Sequence, residues 1–299
     1  MGADVRFPNI GIVIESLGKS VSINGFSIAY YGMIIALGMV CGYFMASWQA
    51  KRLGEDGEII LDLALWDILF AVIGARIYYV LFSLDYYSAH PEEIFNIRGG
   101  GMAIYGGIIG GVITTLVFAK LKKQSFWRLT DVACGGLLVG QIFGRWGNFF
   151  NREAFGGYTD SLLAMQLKQS DVRTSDLTDT ILQHIQVVDG VEYIQVHPTY
   201  LYESLWNVLV LAVILWYTPK RKFDGQLFLM YLIGYGLGRF WIEGLRTDQL
   251  MLFGSPIAVS QLLSALLVLV ALPVLLYRLR QIKVTGQAKV ADKAGKVSR

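Results

Sequence analysis

Two cysteines and three histidines are all that the 299 residues offer of thiol and imidazole metal ligands. Cys41 and Cys134 both fall inside apolar stretches, where a thiol acts as a small core residue, so a disulfide framework is excluded. His90, His184 and His197 are widely separated and form no His-Glu-x-x-His or cysteine–histidine spacing. Neither a metal ion nor another cofactor is therefore expected. A phosphate-binding P-loop, a dinucleotide glycine fingerprint and a serine nucleophile elbow are also missing. Charge is scarce too. Only 16% of residues are charged, against about 25% in soluble domains, which excludes a fully soluble or a disordered chain. No nucleic-acid partner is expected.

What is abundant is apolar: 54% of residues are hydrophobic, mean hydropathy is +0.48, and 33 residues are glycine. Small residues let membrane helices approach closely, so this composition describes an integral membrane protein. A hydrocarbon core about 30 Å thick takes roughly 20 helical residues. Seven stretches qualify, at about 28–50, 59–81, 101–119, 129–150, 199–217, 226–245 and 257–277. No cleavable signal peptide is read in the polar N-terminal region. The predicted fold is an all-α polytopic membrane protein, a single domain over residues 1–299 with seven transmembrane helices.

Lysine and arginine orient it. One set of connections, including a basic tail at 278–299, holds sixteen basic residues; the opposite set, with Arg98 among them, holds seven. The excess marks the cytoplasmic side, so the N-terminus is outside and the C-terminus is cytoplasmic. The tail lies near anionic headgroups or is simply solvated. The one long connection, 151–198, falls outside as a cap insertion between the fourth and fifth spans. Two β-rich runs flank Asp189-Gly190 in it, which predicts a hairpin with a type I′ turn.

Charge inside a membrane is costly and points to a cavity or a partner. At 1.5 Å per residue, Arg239, Arg145 and Arg76 lie about 20, 24 and 25 Å above the cytoplasmic face. Tyr31, Tyr105, and Tyr202 with Glu203 begin the spans that run the other way, so polar groups converge in the outer half. Gln141, Arg145, Asn148 and Arg152 share one face of the fourth span, and Tyr235, Arg239, Glu243 and Arg246 one face of the sixth. Glu243 either orients Arg239 or meets a ligand directly. Arg76 is read as a structural partner of a buried acid. Asp62, Asp67 and Asp131, near the cytoplasmic ends, are expected to be solvated or capping. His197, before Pro198, is expected to make a local loop contact. Guanidinium forks in a low-dielectric cleft suit phosphate, and an anionic phospholipid headgroup sits at that depth. The runs Gly99-Gly-Gly101, Gly106-Gly107 and Gly110-Gly111 either approach a ligand or pack helices, and packing is preferred for Gly106 and Gly110. An anion or lipid transporter would explain the arginines equally well, but it predicts two-sided access and internal repeats, and no repeat is visible.

The run Gly144-Arg-Trp-Gly-Asn-Phe-Phe-Asn-Arg-Glu-Ala-Phe-Gly156 resembles bacterial prolipoprotein diacylglyceryl transferases. So do Tyr30-Tyr-Gly32, Gly74-Ala-Arg76, the third-span run Gly100–Gly110, His197-Pro-Thr-Tyr-Leu-Tyr-Glu203 and the sixth-span run Gly234–Arg246. The resemblance covers nearly the whole chain. It implies an enzyme of the bacterial cytoplasmic (inner) membrane with its active site in the outer half. Such an enzyme moves the diacylglyceryl group of phosphatidylglycerol onto the lipobox cysteine of preprolipoprotein signal peptides, forming a thioether and releasing glycerol phosphate. It implies further that Arg145 and Arg239 are catalytic and that Arg145, Tyr31, Asn148, Asn151, Glu153, Gly156, Tyr235, Glu243 and Arg246 bind phospholipid. The third catalytic candidate, Tyr105, stands where many members carry histidine. A tyrosine, with a pKa near 10, hydrogen-bonds well but is a poor base at neutral pH.

Overall fold

A chain in lipid must satisfy each backbone N–H and C=O internally, and the apolar runs do so as helices. The computed structural model describes residues 4–23, 26–97, 100–252 and 255–297. Arg98, Gly99 and the last two tail residues therefore lie outside the described residues. In chain order come the strands β1 (Val5–Phe7), β2 (Ile12–Ile14), β3 (Ser20–Ile23) and β4 (Phe26–Ala29). Next are the helices α1 (Tyr30–Leu53), α2 (Gly57–Leu81), a short α3 (Leu84–Ala89), α4 (Ile104–Leu121) and α5 (Phe126–Asn151). Strand β5 (Met165–Lys168), a one-turn α6 (Asp179–Leu182), β6 (Gln186–Val188) and β7 (Val191–Val196) follow. Helices α7 (Thr199–Tyr217), α8 (Gln226–Glu243) and α9 (Val259–Val297) complete the chain.

Among the described residues, four segments are long and apolar enough to cross a membrane: Tyr30–Leu53, Ile104–Leu121, Thr199–Lys220 and Val259–Thr285. Their large apolar side chains, such as Phe44, Leu116, Leu209 and Leu269, face outward, as they would toward lipid. The other three long helices coincide with the remaining expected spans; they carry the buried Arg76 (α2), Asp131 (α5) and Glu243 (α8) and the partly buried Asp67, Arg145 and Arg239. Helix α9 continues well past residue 277, so most of the expected tail is helical.

By contact the chain divides into two compact units, Met1–Gly42 with Gly135–Arg299, and Tyr43–Cys134. In the first, α1 lies along α5 through glycines; a Cβ on Gly42 would sit 2.9 Å from the Gly136 carbonyl. Trp206 of α7 donates its Nε1–H to the carbonyl of Gly234 on α8 at 2.8 Å. Gly236 lets α8 meet α9, where a Cβ would be 3.0 Å from Ser264 O.

The first unit also carries an antiparallel sheet in the order β2-β1-β5-β7-β6. The expected hairpin is β6–β7, and Asp189 (φ 52°) and Gly190 (φ 76°) both take the left-handed backbone that a type I′ turn requires. The cap is not confined to 151–198, however. Strand β5 would leave one edge unpaired, and β1 from the N-terminal region fills it, with Val5 opposite Leu167. Val5, Phe7, Leu167, Ile194 and Val196 bury one face of this sheet in a core shared with Phe149, Phe155 and Tyr200.

In the second unit α2 packs on α4 where both backbones lack side chains. A Cβ on Gly74 would lie 2.5 Å from the Gly106 carbonyl, and one on Gly110 2.5 Å from the Phe70 carbonyl, so packing is the role of these glycines. Arg76, 8% exposed, is structural, but among the described residues its hydrogen bonds go to no acid side chain. It donates to four backbone carbonyls: Ile94 (2.7 Å), Gly100 (2.9 Å), Gly101 (2.7 Å) and Glu93 (2.5 Å). The guanidinium thus collects carbonyls from the short 3-10 helix Pro91–Phe95 and from the glycine run of the connection between α2 and α4. Asp131 departs from expectation: it is fully buried, in the same helix as the equally buried Val132 and Leu129 that anchor this unit's core. Asp62 is exposed and bridges Lys122 at 3.0 Å, as solvation near a helix end allows. Asp67 is held by the Thr115 hydroxyl, 3.2 Å from its Oδ2.

Candidate active site

The first unit brings α5, α7 and α8 together around a buried carboxylate. Glu203, in the first turns of α7, has a side chain only 3% exposed. Its Oε1 lies 3.1 Å from Nε of Arg145 on α5, and its Oε2 accepts from Nη1 of Arg239 on α8 at 3.0 Å. Arg239 extends Nη2 to Glu243, one turn on, at 2.6 Å. Arg246 lies 3.8 Å from that same Glu243 oxygen and forks onto Asp248 at 2.8 and 2.7 Å. Three guanidinium groups and three carboxylates thus alternate in one lattice of zero net charge. Burial alone would raise the Asp248 carboxyl, but the Arg246 fork outweighs it and holds the group below the usual carboxylate value.

Arg145 is tied a second time. Its Nη1 donates to Asn148 Oδ1 (3.1 Å), and Asn148 Nδ2 donates to Glu153 Oε1 (3.0 Å). Asn151 reaches the same oxygen at 3.1 Å, while Arg173 of the cap donates to Glu153 Oε2 at 3.0 Å. Asn148, Asn151 and Glu153 converge because of how α5 ends. Arg152 (φ 55°) is left-handed, its N–H reaches Phe149 O, and the Glu153 N–H reaches back to Asn148 O. That is a Schellman closure with arginine where glycine is usual. It swings Arg152 off the face of Arg145, correcting the four-residue stripe read from periodicity. The Arg152 side chain instead meets Asp171 (3.2 Å) and Asp4 (3.5 Å), fastening the cap.

Tyr31 packs its ring on Gly147, where a Cβ would lie 2.9 Å from Cδ2. Tyr235 stacks on Tyr231 at 5.9 Å, one turn below Arg239, and the Tyr231 hydroxyl accepts from Gln141 at 2.8 Å. Gly156 is a backbone junction: its N–H bonds His197 O, Gly157 N–H bonds Leu245 O, and Thr247 N–H bonds Phe155 O. These bonds lace the end of α8 to the end of β7. His197 makes the expected local contact, with Nδ1 3.3 Å from the Tyr202 hydroxyl, and burial pushes its pKa below the ordinary 6.5. Tyr105 sits in the first turn of α4, half-buried, in the second unit.

The lattice therefore gathers Arg145, Asn148, Asn151, Glu153, Arg239, Glu243 and Arg246. Glu203 is its centre, yet the sequence analysis placed it only as a polar residue at the mouth of α7. Its signal was there: an acid at the depth of the two arginines. Among the described residues, no group of three or more histidine, cysteine, aspartate or glutamate side chains could hold a metal ion. Chemically, the lattice can exchange an internal carboxylate for an external anion. The Nη2 of Arg145, on a side chain 21% exposed, makes no hydrogen bond among the described residues.

Residues 19–277 match the family model described as prolipoprotein diacylglyceryl transferase. The phosphatidylglycerol–prolipoprotein diacylglyceryl transferase of Listeria monocytogenes is 42% identical over 278 residues, 93% of this chain and 95% of that protein. The protein of the same name from Bacillus mycoides is 40% identical over 259 residues, 87% of this chain and 91% of its own length.

Proposed function

The chain belongs to the prolipoprotein diacylglyceryl transferase family, and from that premise we propose that the arginine–glutamate lattice is where the phospholipid's phosphate is bound and released. The protein is a multi-pass membrane transferase that moves diacylglyceryl from phosphatidylglycerol to prolipoprotein. The acceptor is a lipobox cysteine of a signal peptide. The thiol gives up its proton, the sulfur attacks the glyceryl carbon bearing the phosphate, and a C–S thioether forms. The C–O bond breaks with its electron pair leaving on the oxygen of glycerol phosphate, and the proton passes in sum to that phosphate. Charge builds on that oxygen as the bond breaks, and guanidinium donors fixed beforehand stabilise it with little reorganisation. Arg145 and Arg239 fill that role, joined through the buried carboxylate of Glu203. A nearby guanidinium also favours the thiolate form of an incoming cysteine.

Asn148, Asn151 and Glu153 fix Arg145, and Glu243 with Arg246 fixes Arg239; Tyr31, Gly156 and Tyr235 complete the phospholipid site. For Tyr105 the support is the family resemblance alone, with its hydroxyl as a hydrogen-bonding group. The basic-residue bias supports seven spans with the N-terminus outside, and so an active site in the outer half of the bacterial inner membrane. The single observation that carries this reading is the pairing of Arg145 and Arg239, from two helices, on one buried carboxylate.

Purified protein with labelled phosphatidylglycerol and a lipobox peptide tests it. Thioether-linked diacylglyceryl on the cysteine with equimolar glycerol phosphate is expected. An acyl ester on the peptide, or lipid flux across vesicles without peptide modification, contradicts it.

A further inference from the structure

The two arginines of the lattice come from helices that do not set their spacing by themselves. Arg145 is on α5 and Arg239 on α8, and among the described residues the carboxylate that ion-pairs with both comes from α7. Glu203 spends one carboxylate oxygen on each, at 3.1 and 3.0 Å. The contact with Arg145 Nε is an ion pair without hydrogen-bond alignment, since neither atom has a hydrogen-bond partner, whereas the contact with Arg239 is a formed hydrogen bond. Glu203 therefore grips Arg239 and holds Arg145 by charge alone. Arg145 is thus the partner more easily turned toward another anion.

We propose that Glu203 is a positioning residue for the transfer, an internal anion that presets the gap between the two guanidinium groups and competes with the phosphate for them. The proposal rests on the reading of Arg145 and Arg239 as the phosphate site. Its consequence is an opposed effect on binding and rate. A carboxylate that shares donors with the substrate weakens ground-state binding, while the alignment it enforces serves the transition state. Removing its charge should tighten phosphatidylglycerol binding and slow the reaction, a pairing that a loosened fold does not produce.

The experiment is steady-state lipidation of a lipobox peptide by full-length Glu203→Gln and Glu203→Asp, at matched amounts of folded protein and with phosphatidylglycerol varied. For Glu203→Gln, kcat is expected to fall by about tenfold or more, with KM for phosphatidylglycerol reduced about threefold. Glu203→Asp keeps the charge but is one methylene too short to span both arginines, so kcat should fall without any decrease in KM. If Glu203→Gln does not fold, Glu203→Asp decides alone, and wild-type kcat in it overturns the proposal. Unchanged parameters in Glu203→Gln, or a fall in kcat accompanied by a raised KM, also overturn it. Arg145→Lys run alongside separates the two claims. If it too keeps wild-type kinetics, the phosphate-site reading itself has failed; if it is impaired while Glu203→Gln is normal, only the role of Glu203 is lost.

Discussion

Arg76 and Arg145 are both arginines within the long helices, and the molecule treats them in opposite ways. Arg76 spends its donors on four carbonyls of the connection between α2 and α4 and stacks over Tyr87, 5.1 Å from the ring centroid. Arg145 spends its donors on Glu203 and Asn148, with Nη2 making no hydrogen bond among the described residues. Carbonyls belonging to a folded loop cannot be exchanged for a ligand without undoing the loop. A carboxylate on a neighbouring helix can be, since it and a phosphate ask for the same donors. The partner of a buried arginine, more than its burial, distinguishes a structural role from a chemical one.

The sharpest way to break the comparison is to keep each charge and remove the planar fork. Arg145→Lys and Arg239→Lys should each lower the rate of peptide lipidation by about 10² or more, the scale seen when one transition-state donor is lost. Thermal unfolding in detergent should change much less. Arg76→Lys should do the reverse, since one ammonium cannot serve four carbonyls in the geometry of the fork. A stability loss of about 3 kcal/mol is expected, read by thermal unfolding, while the lipidation rate per folded molecule falls far less than in Arg145→Lys. Equal effects of Arg76→Lys and Arg145→Lys on both readouts would erase the distinction.

Smaller effects sharpen it further. Gly106→Ala puts a methyl against the Gly74 carbonyl and the Tyr78 side chain, and should cost about 1–3 kcal/mol of stability by forcing α2 and α4 apart. The smallest effect concerns His197, whose pKa burial lowers from 6.5. A depressed histidine pKa contributes stability that is fully present above pH 6.5 and is lost as pH falls through the folded value, because the unfolded chain binds the proton more readily. The wild type should therefore lose thermal stability relative to His197→Asn on going from neutral to mildly acidic pH. A pH-independent gap between the two would show that His197 does not titrate with folding.

The long helices were legible because an apolar run in lipid has little choice of structure, and the β6–β7 hairpin because Asp189-Gly190 is a turn with a mechanism. Strands β1 and β2 were not, since each is three residues long and β5, which ties β1 into the sheet, lies some 160 positions away in the chain. Periodicity placed Arg145, Asn148, Arg239 and Glu243 correctly on their helices but carried Arg152 one residue too far, past a left-handed helix end that arginine rarely adopts. Glu203 could be seen as an acid at the right depth, yet its meaning depends on two helices whose packing no local pattern encodes. The carbonyl partners of Arg76 were hidden for a related reason, since every residue has a carbonyl and only the fold shows which ones face the guanidinium.

The central claim is that Arg145 and Arg239 act as one unit on one phosphate, and a double-mutant cycle on peptide lipidation tests it most directly. Arg145→Lys, Arg239→Lys and the double substitution are compared with wild type at saturating phosphatidylglycerol and matched folded protein. Residues that stabilise one leaving group jointly are non-additive, so the double variant should be only slightly slower than the worse single, within about threefold. Losses that multiply would mean two independent roles, and near-normal rates in both single variants would return the lattice to a structural ion-pair network.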